Sequence, residues 1–312
     1  MSITVPFVGQ LLAGEQSKWL EALSVELPGM NIVPVAELPD RRGHRVAVVA
    51  NPNPADLETL TDLVWVQSLW AGVEKLLAEP ALAPVGIARL IDPCLANTMA
   101  EAVLAWTLYL HRDMPTYRTQ QVARTWQQLS YMAAADRRVA ILGLGELGRA
   151  AAHRLSLNGF DVMGWSRSLK TLEGVRSFHG ERGLMDMLSE SDILVCLLPL
   201  TDATRGLLGK VQLAKLPKSA ALINFGRGPI LDTTALMTAL EEGQLRHAVL
   251  DVFDEEPLPE TSPLWAHPSI TVLPHISAPT SIKSAARIAA RNIKAFHKDG
   301  TLPPFVDRER GY

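Results

Sequence analysis

The stretch that most constrains the fold runs from Arg138 to Leu157. Val139-Ala140-Ile141-Leu142 is an apolar run of strand length. Gly143-Leu144-Gly145-Glu146-Leu147-Gly148 follows at once, and Leu147 to Leu157 then carries helical spacing. A strand passing into a helix through G-x-G-x-x-G gives each glycine a task. The first permits the tight turn, the second lets a pyrophosphate approach the backbone, and the third lets helix and strand pack closely. A phosphate at that turn, beside Glu146 and Leu147, meets free amides and the positive end of the helix dipole. The pattern alone occurs by chance in plain β-α turns and in methyltransferase cofactor loops. With a strand before it and a helix after it, it reads as a dinucleotide site.

Beyond this unit the rhythm continues. Asp161–Trp165, Ile193–Leu198, Ala220–Asn224, Ala248–Val252 and Ile270–Leu273 read as strands. Gly183–Leu188 and Thr233–Glu241 read as helices between them. Near-continuous apolar strands alternating with helices imply a parallel sheet buried on both faces. The first 97 residues alternate less regularly. Val46–Val49 and Val64–Val66 read as strands, Gln16–Leu27 and Leu57–Leu63 as helices. Asp92-Pro93 marks a break, and Thr98-Met99-Ala100-Glu101 has the form of a capping box opening a helix to about Arg112. The chain is expected to cross between domains there and to return through a last helix, Ser281–Lys298. The expected division is 1–97 with 287–312, and 98–286 inserted as one block. At roughly 150 residues per domain, 312 residues agree with two cores.

Composition removes several classes. A net charge of −3 gives no basic footprint for nucleic acid. No run of about 18 apolar residues suggests a membrane span. The two cysteines, Cys94 and Cys196, lie apart in apolar stretches and read as small buried hydrophobes rather than a disulfide or metal site. Met1 to Val5 lacks the pattern of a signal peptide, so a reducing cytoplasm is expected.

The end of the second strand distinguishes between cofactors. An NAD site usually places a carboxylate there for the ribose 2′-hydroxyl. Here the strand runs into Ser166-Arg167-Ser168-Leu169-Lys170, which holds hydroxyls and two cations but no carboxylate. That suits the 2′-phosphate of NADP, so NADPH is the expected cofactor, with NADH use left open.

Three further polar residues sit just past strands, where open α/β sheets bind their ligands. Arg227 lies between Gly226 and Gly228, and a guanidinium holds a carboxylate in a forked pair and polarises a carbonyl. In Asp251-Val252-Phe253-Asp254-Glu255-Glu256-Pro257 the residues alone do not choose among the three acids before the proline. His275 leaves a strand end beside Pro274. A neighbouring carboxylate would orient its ring and keep a proton donor available near neutral pH.

Together these segments resemble the D-isomer-specific 2-hydroxyacid dehydrogenases, and within them the glyoxylate/hydroxypyruvate reductases. The resemblance is carried by Trp70-Ala71-Gly72-Val73-Glu74, Gly143–Gly148, Trp165–Ser168, Leu198-Pro199-Leu200-Thr201, Asn224–Gly228, Asp251–Pro257 and Pro274-His275. It departs at Glu74, where much of the wider family has aspartate. The resemblance implies two Rossmann-like domains with parallel sheets and the active site between them. It selects Glu256 as the partner of His275, the proton donor, and gives Arg227 the substrate's carboxylate and carbonyl. It assigns substrate contacts to the backbone of Ala71, Gly72 and Val73. Leu198, Pro199, Thr204 and Phe225 would line the cofactor, with Asp251 facing the nicotinamide amide. The implied activity is reduction of small 2-keto acids by a homodimer, whose interface would include helices near the domain crossing. Two alternatives remain at this point: a dehydrogenase of another D-2-hydroxy acid, and a dinucleotide-sensing protein of the corepressor kind.

Overall fold

The computed structural model describes residues 3–312. Met1 and Ser2, part of the N-terminal reading above, lie outside the described residues. The chain forms two compact units, Met1–Cys94 with Thr280–Tyr312, and Leu95–Pro279. The sequence placed the divisions a few residues later, at 97/98 and 286/287.

The first unit contains β1 (Ile3–Gly9), α1 (Ala13–Glu26), β2 (Met30–Pro34), β3 (Val46–Ala50), α2 (Pro54–Glu58), β4 (Trp65–Ser68), α3 (Glu74–Leu77) and β5 (Gly86–Ala88). Its five strands lie in the order β2-β1-β3-β4-β5, all parallel. This is a doubly wound order, with apolar clusters on both faces of the sheet. Every residue of Val46-Ala47-Val48-Val49-Ala50 is buried, as an apolar run sandwiched between helices should be. β1 was not legible because Pro6 lacks the N–H that a central strand needs. The structure accommodates it because the pairing with β3 begins one residue later, at Phe7.

The second unit follows α4 (Pro93–His111), within which the division falls. It holds α5 (Met114–Val122), β6 (Arg138–Leu142), α6 (Glu146–Leu157), β7 (Asp161–Ser166), β8 (Val175–His179), α7 (Gly180–Glu190), β9 (Ile193–Cys196), α8 (Lys210–Lys215), β10 (Ala220–Asn224), α9 (Thr233–Glu241), β11 (Leu245–Leu250) and β12 (Ile270–Val272). α10 (Ile282–Asp299) belongs to the first unit, where its alanine face packs on α1. The seven strands are parallel, in the order β12-β11-β10-β9-β6-β7-β8. Strand order reverses between β6 and β9, and ligands of such sheets bind at the carboxyl ends beside that switch point. Among the described residues no helix is long and apolar enough to cross a membrane.

Three local expectations are corrected. Cys94, read as a buried hydrophobe, is exposed in the first turn of α4, while Cys196 is buried as expected. The capping box at Thr98 does not open a helix, because α4 already begins at Pro93. Proline suits the first helical position, and the Asp92 carboxylate accepts the Cys94 amide at 2.8 Å. The other oxygen of Asp92 accepts the Ser284 hydroxyl at the start of α10. The helix expected at Leu57–Leu63 is instead Pro54–Glu58, capped by Asn53. The Thr59 hydroxyl bonds the Asp56 carbonyl at 2.6 Å where it stops.

Candidate active site

The glycine turn leaves β6 at the switch point. Gly143 has φ +100°, and its amide donates to the Trp165 carbonyl on the neighbouring strand at 2.8 Å. A β-carbon on Gly148 would lie 1.8 Å from the Gly143 carbonyl oxygen, so no other residue fits there. Gly145, the N-cap of α6, would place a β-carbon in open space, with nothing within 4 Å. The two outer glycines are thus required by the protein's own packing, while the middle one keeps clear the path to the helix end. There the first amides of α6 lack intrahelical acceptors. Glu146 is exposed and Leu147 packs partly on the core.

At the end of β7 the basic loop is tied back to this turn. The Lys170 ammonium donates to the Leu144 carbonyl at 2.9 Å, and Arg167 and Ser168 are exposed. Ser166 is buried, and its hydroxyl donates to the Ser168 carbonyl at 2.7 Å. The loop itself carries two cations and no carboxylate, which fits a doubly charged phosphate ester. Ser166 shapes this loop rather than presenting a free donor.

Other residues expected around a cofactor divide in the same way. Thr204 donates to the Pro199 carbonyl at 2.7 Å and accepts the Thr201 amide at 2.8 Å, so its hydroxyl braces the loop after β9. Leu198 is largely buried, Pro199 half-buried. The Phe225 ring is in the core, 4% exposed, so only its backbone borders the strand ends.

Arg227 stands on a loop fastened by Asn224, which is fully buried. The Asn224 amide group donates to the Arg227 carbonyl at 3.1 Å and accepts the Gly226 amide at 3.2 Å. A β-carbon on Gly226 would meet the Leu198 carbonyl oxygen at 2.8 Å, and one on Gly228 the Phe253 carbonyl carbon at 2.0 Å. Both glycines admit neighbouring backbone. The half-buried guanidinium donates to the Gly226 carbonyl at 2.7 Å.

His275 and Glu256 meet. Glu256 Oε2 lies 2.7 Å from His275 Nδ1, and its Oε1 accepts the Phe253 amide at 2.9 Å. Asp254 and Glu255, the other acids of that loop, are also exposed, but the pair is formed by Glu256. A carboxylate on Nδ1 fixes the proton there and leaves Nε2 for exchange with a ligand. His275 has φ +53°, a left-handed conformation unfavourable for a residue with a β-carbon. Asp251, 2% exposed, accepts the amides of Ile276 at 2.7 Å and Ser277 at 2.9 Å. Sequence reasoning assigned Asp251 to a cofactor and missed this role, because its partners are main-chain groups far along the chain.

In the first unit, Ser68 Oγ accepts the Trp70 amide at 3.0 Å and orients the turn that follows β4. Ala71 and Gly72 are half-buried and Val73 is buried. Among the described residues the amides of Gly72 and Val73 have no protein acceptor.

Comparison with known proteins agrees with this layout. The family described as D-isomer specific 2-hydroxyacid dehydrogenase, NAD binding domain, matches residues 104–277. A glyoxylate/hydroxypyruvate reductase A of Photorhabdus laumondii is 37% identical over 304 residues, 96% of this chain and 97% of that protein. A D-isomer specific 2-hydroxyacid dehydrogenase of Xanthobacter autotrophicus, crystallised with NADPH and MES, superposes with a TM-score of 0.94 at 39% identity, covering 100% of both chains. An NADPH-dependent glyoxylate/hydroxypyruvate reductase of Sinorhizobium meliloti, crystallised with NADP and sulfate, gives 0.92 at 33% identity, covering 99% and 100%.

The glycine geometry generates a paired prediction. Gly148→Ala should destabilise the chain by about 3 kcal/mol, since backbone must move to admit the methyl group. Gly145→Ala should cost less than about 1 kcal/mol, the range of an N-cap change. Denaturant titration of both variants checks it, and equal losses would contradict the assignment of the two roles.

Proposed function

The chain belongs to the D-isomer specific 2-hydroxyacid dehydrogenases, and from that membership we propose an NADPH-dependent reductase of small 2-keto acids, converting glyoxylate to glycolate and hydroxypyruvate to D-glycerate. The observation that carries the reading is the His275–Glu256 pair at 2.7 Å, standing past the strand ends of a sheet whose glycine turn fits a dinucleotide. The relatives named as glyoxylate/hydroxypyruvate reductases support the substrate class.

When bound, NADPH supplies the hydride that reduces C2 of the keto acid. The remaining work falls to the chain. Amides at the start of α6, near Glu146 and Leu147, bind the pyrophosphate, while Arg167 and Lys170 neutralise the 2′-phosphate. Leu198, Pro199, the bracing Thr204 and the Phe225 backbone shape the wall beside the cofactor. Arg227 binds the substrate carboxylate and polarises the carbonyl. His275 gives a proton from Nε2 to the carbonyl oxygen as the hydride arrives at C2, and the 2-hydroxy acid leaves. Glu256 holds Nδ1, so the imidazolium that must form between turnovers has a counter-charge.

The enzyme acts in the cytoplasm as a homodimer in this reading. Both cysteines are free thiols, and the segment around α5 exposes Met114, Tyr117, Val122, Trp126 and Tyr131, an apolar surface that a second copy would cover.

NADPH should be oxidised with glyoxylate and with hydroxypyruvate, and His275→Gln should cut kcat by about 10³-fold with NADPH binding retained. Steady-state kinetics and cofactor-fluorescence titration check both parts. No turnover with any short 2-keto acid would favour a dinucleotide sensor, and a near-normal His275→Gln rate would remove the proton donor. Arg167→Ala combined with Ser166→Asp should shift the kcat/KM ratio toward NADH. An unchanged ratio would mean that the phosphate is recognised elsewhere.

A further inference from the structure

His275 occupies a conformation that its own sequence does not favour. At φ +53° its β-carbon crowds the backbone, and such residues persist only where the surroundings over-determine them. Glu256 restrains the ring, at 2.7 Å from Nδ1. A ring held at one nitrogen still swings with its backbone, so a second restraint is needed to aim Nε2.

Asp251 is built to supply it. It sits directly after β11 and is 2% exposed. Its two oxygens accept successive main-chain amides, Ile276 at 2.7 Å and Ser277 at 2.9 Å, the two residues that follow His275. Both lengths are those of charge-assisted hydrogen bonds, and the two amides compensate the buried charge. Only a carboxylate has two equivalent acceptor oxygens on one short stem. Asparagine would turn an N–H toward one of the two amides. Glutamate would place the same group one methylene too far.

We propose that Asp251 is a positioning residue for proton transfer. It fixes the main chain from which His275 projects, so that Nε2 points to the same place in every turnover. This rests on the reading of His275 as proton donor. It differs from a direct nicotinamide contact in what it predicts: Asp251 acts through His275, so its effect exists only while the imidazole is present.

A double-mutant cycle tests this. Asp251→Asn should lower kcat by about 10²-fold, the cost of a roughly 1 Å misplacement, with KM and NADPH affinity little changed. In the His275→Gln background the same substitution should cost less than about threefold, because coupled residues do not add. Losses that multiply in full would overturn the proposal, as would a weakened NADPH affinity with kcat unchanged. Should Asp251→Asn not fold, Asp251→Glu goes through the same cycle under the same criteria. A second measurement needs no activity: diethyl pyrocarbonate should acylate His275 several-fold faster in the Asp251 variant, and an equal rate would contradict the restraint. A wild-type chain without reductase activity would defeat the functional reading, while the acylation rates would still decide the positioning role.

Discussion

The parallel pairing of β11 with β12 is the constraint on which the rest of the site depends. Leu250 stands opposite Val272, and the Leu273 amide donates to the Leu250 carbonyl at 2.8 Å. That register brings Asp251, one residue past the first strand, beside the segment Pro274-His275-Ile276-Ser277 past the second. A slip of one residue would turn Asp251 to the other face of the sheet. The buried carboxylate would lose both amides, and His275 would lose its main-chain restraint.

The same logic repeats across the sheet. Leu142 pairs with Trp165, which brings the glycine turn beside the loop of Ser166 to Lys170. Asn224 pairs with Cys196, which brings Gly226 against Leu198. Each loop leaves the carboxyl end of a strand whose neighbour is fixed by the ladder, so six separate segments converge, and bonds such as Asp251 to Ile276 and Lys170 to Leu144 then join one loop to the next. What differs between them is how each loop is made stiff. Glycines let backbones touch at 143, 148, 226 and 228. Asn224, Thr204, Ser166 and Asp251 bond main-chain groups locally or across to the next loop.

Much of this was legible in the sequence, because polar residues directly after apolar strands are conspicuous. The glycine turn, Arg227 and His275 stood out in that way, and the structure separates Glu256 from Asp254 and Glu255 by its bond to His275. The less legible parts share one cause: the chemistry lies in main-chain partners, which leave no trace in residue type. Thr204 and Ser166 read as cofactor ligands, although their hydroxyls are occupied by nearby carbonyls. Asp251 read as a cofactor contact, although both its oxygens serve the loop of His275. In the fold, the polar edge strand Val175–His179 and the proline-bearing β1 lacked the expected apolar pattern. Thr98 offered a capping box where Asp92 had already capped the helix.

The central claim is that Glu256 holds the proton on Nδ1 and leaves Nε2 as the nitrogen that gives its proton to substrate. Nitrogen-15 NMR of the His275 ring, followed through a pH titration of the protein, tests it most directly. The account predicts that the proton lost on deprotonation leaves Nε2 while Nδ1 stays protonated. Loss of the proton from Nδ1, with Nε2 remaining protonated, would contradict it.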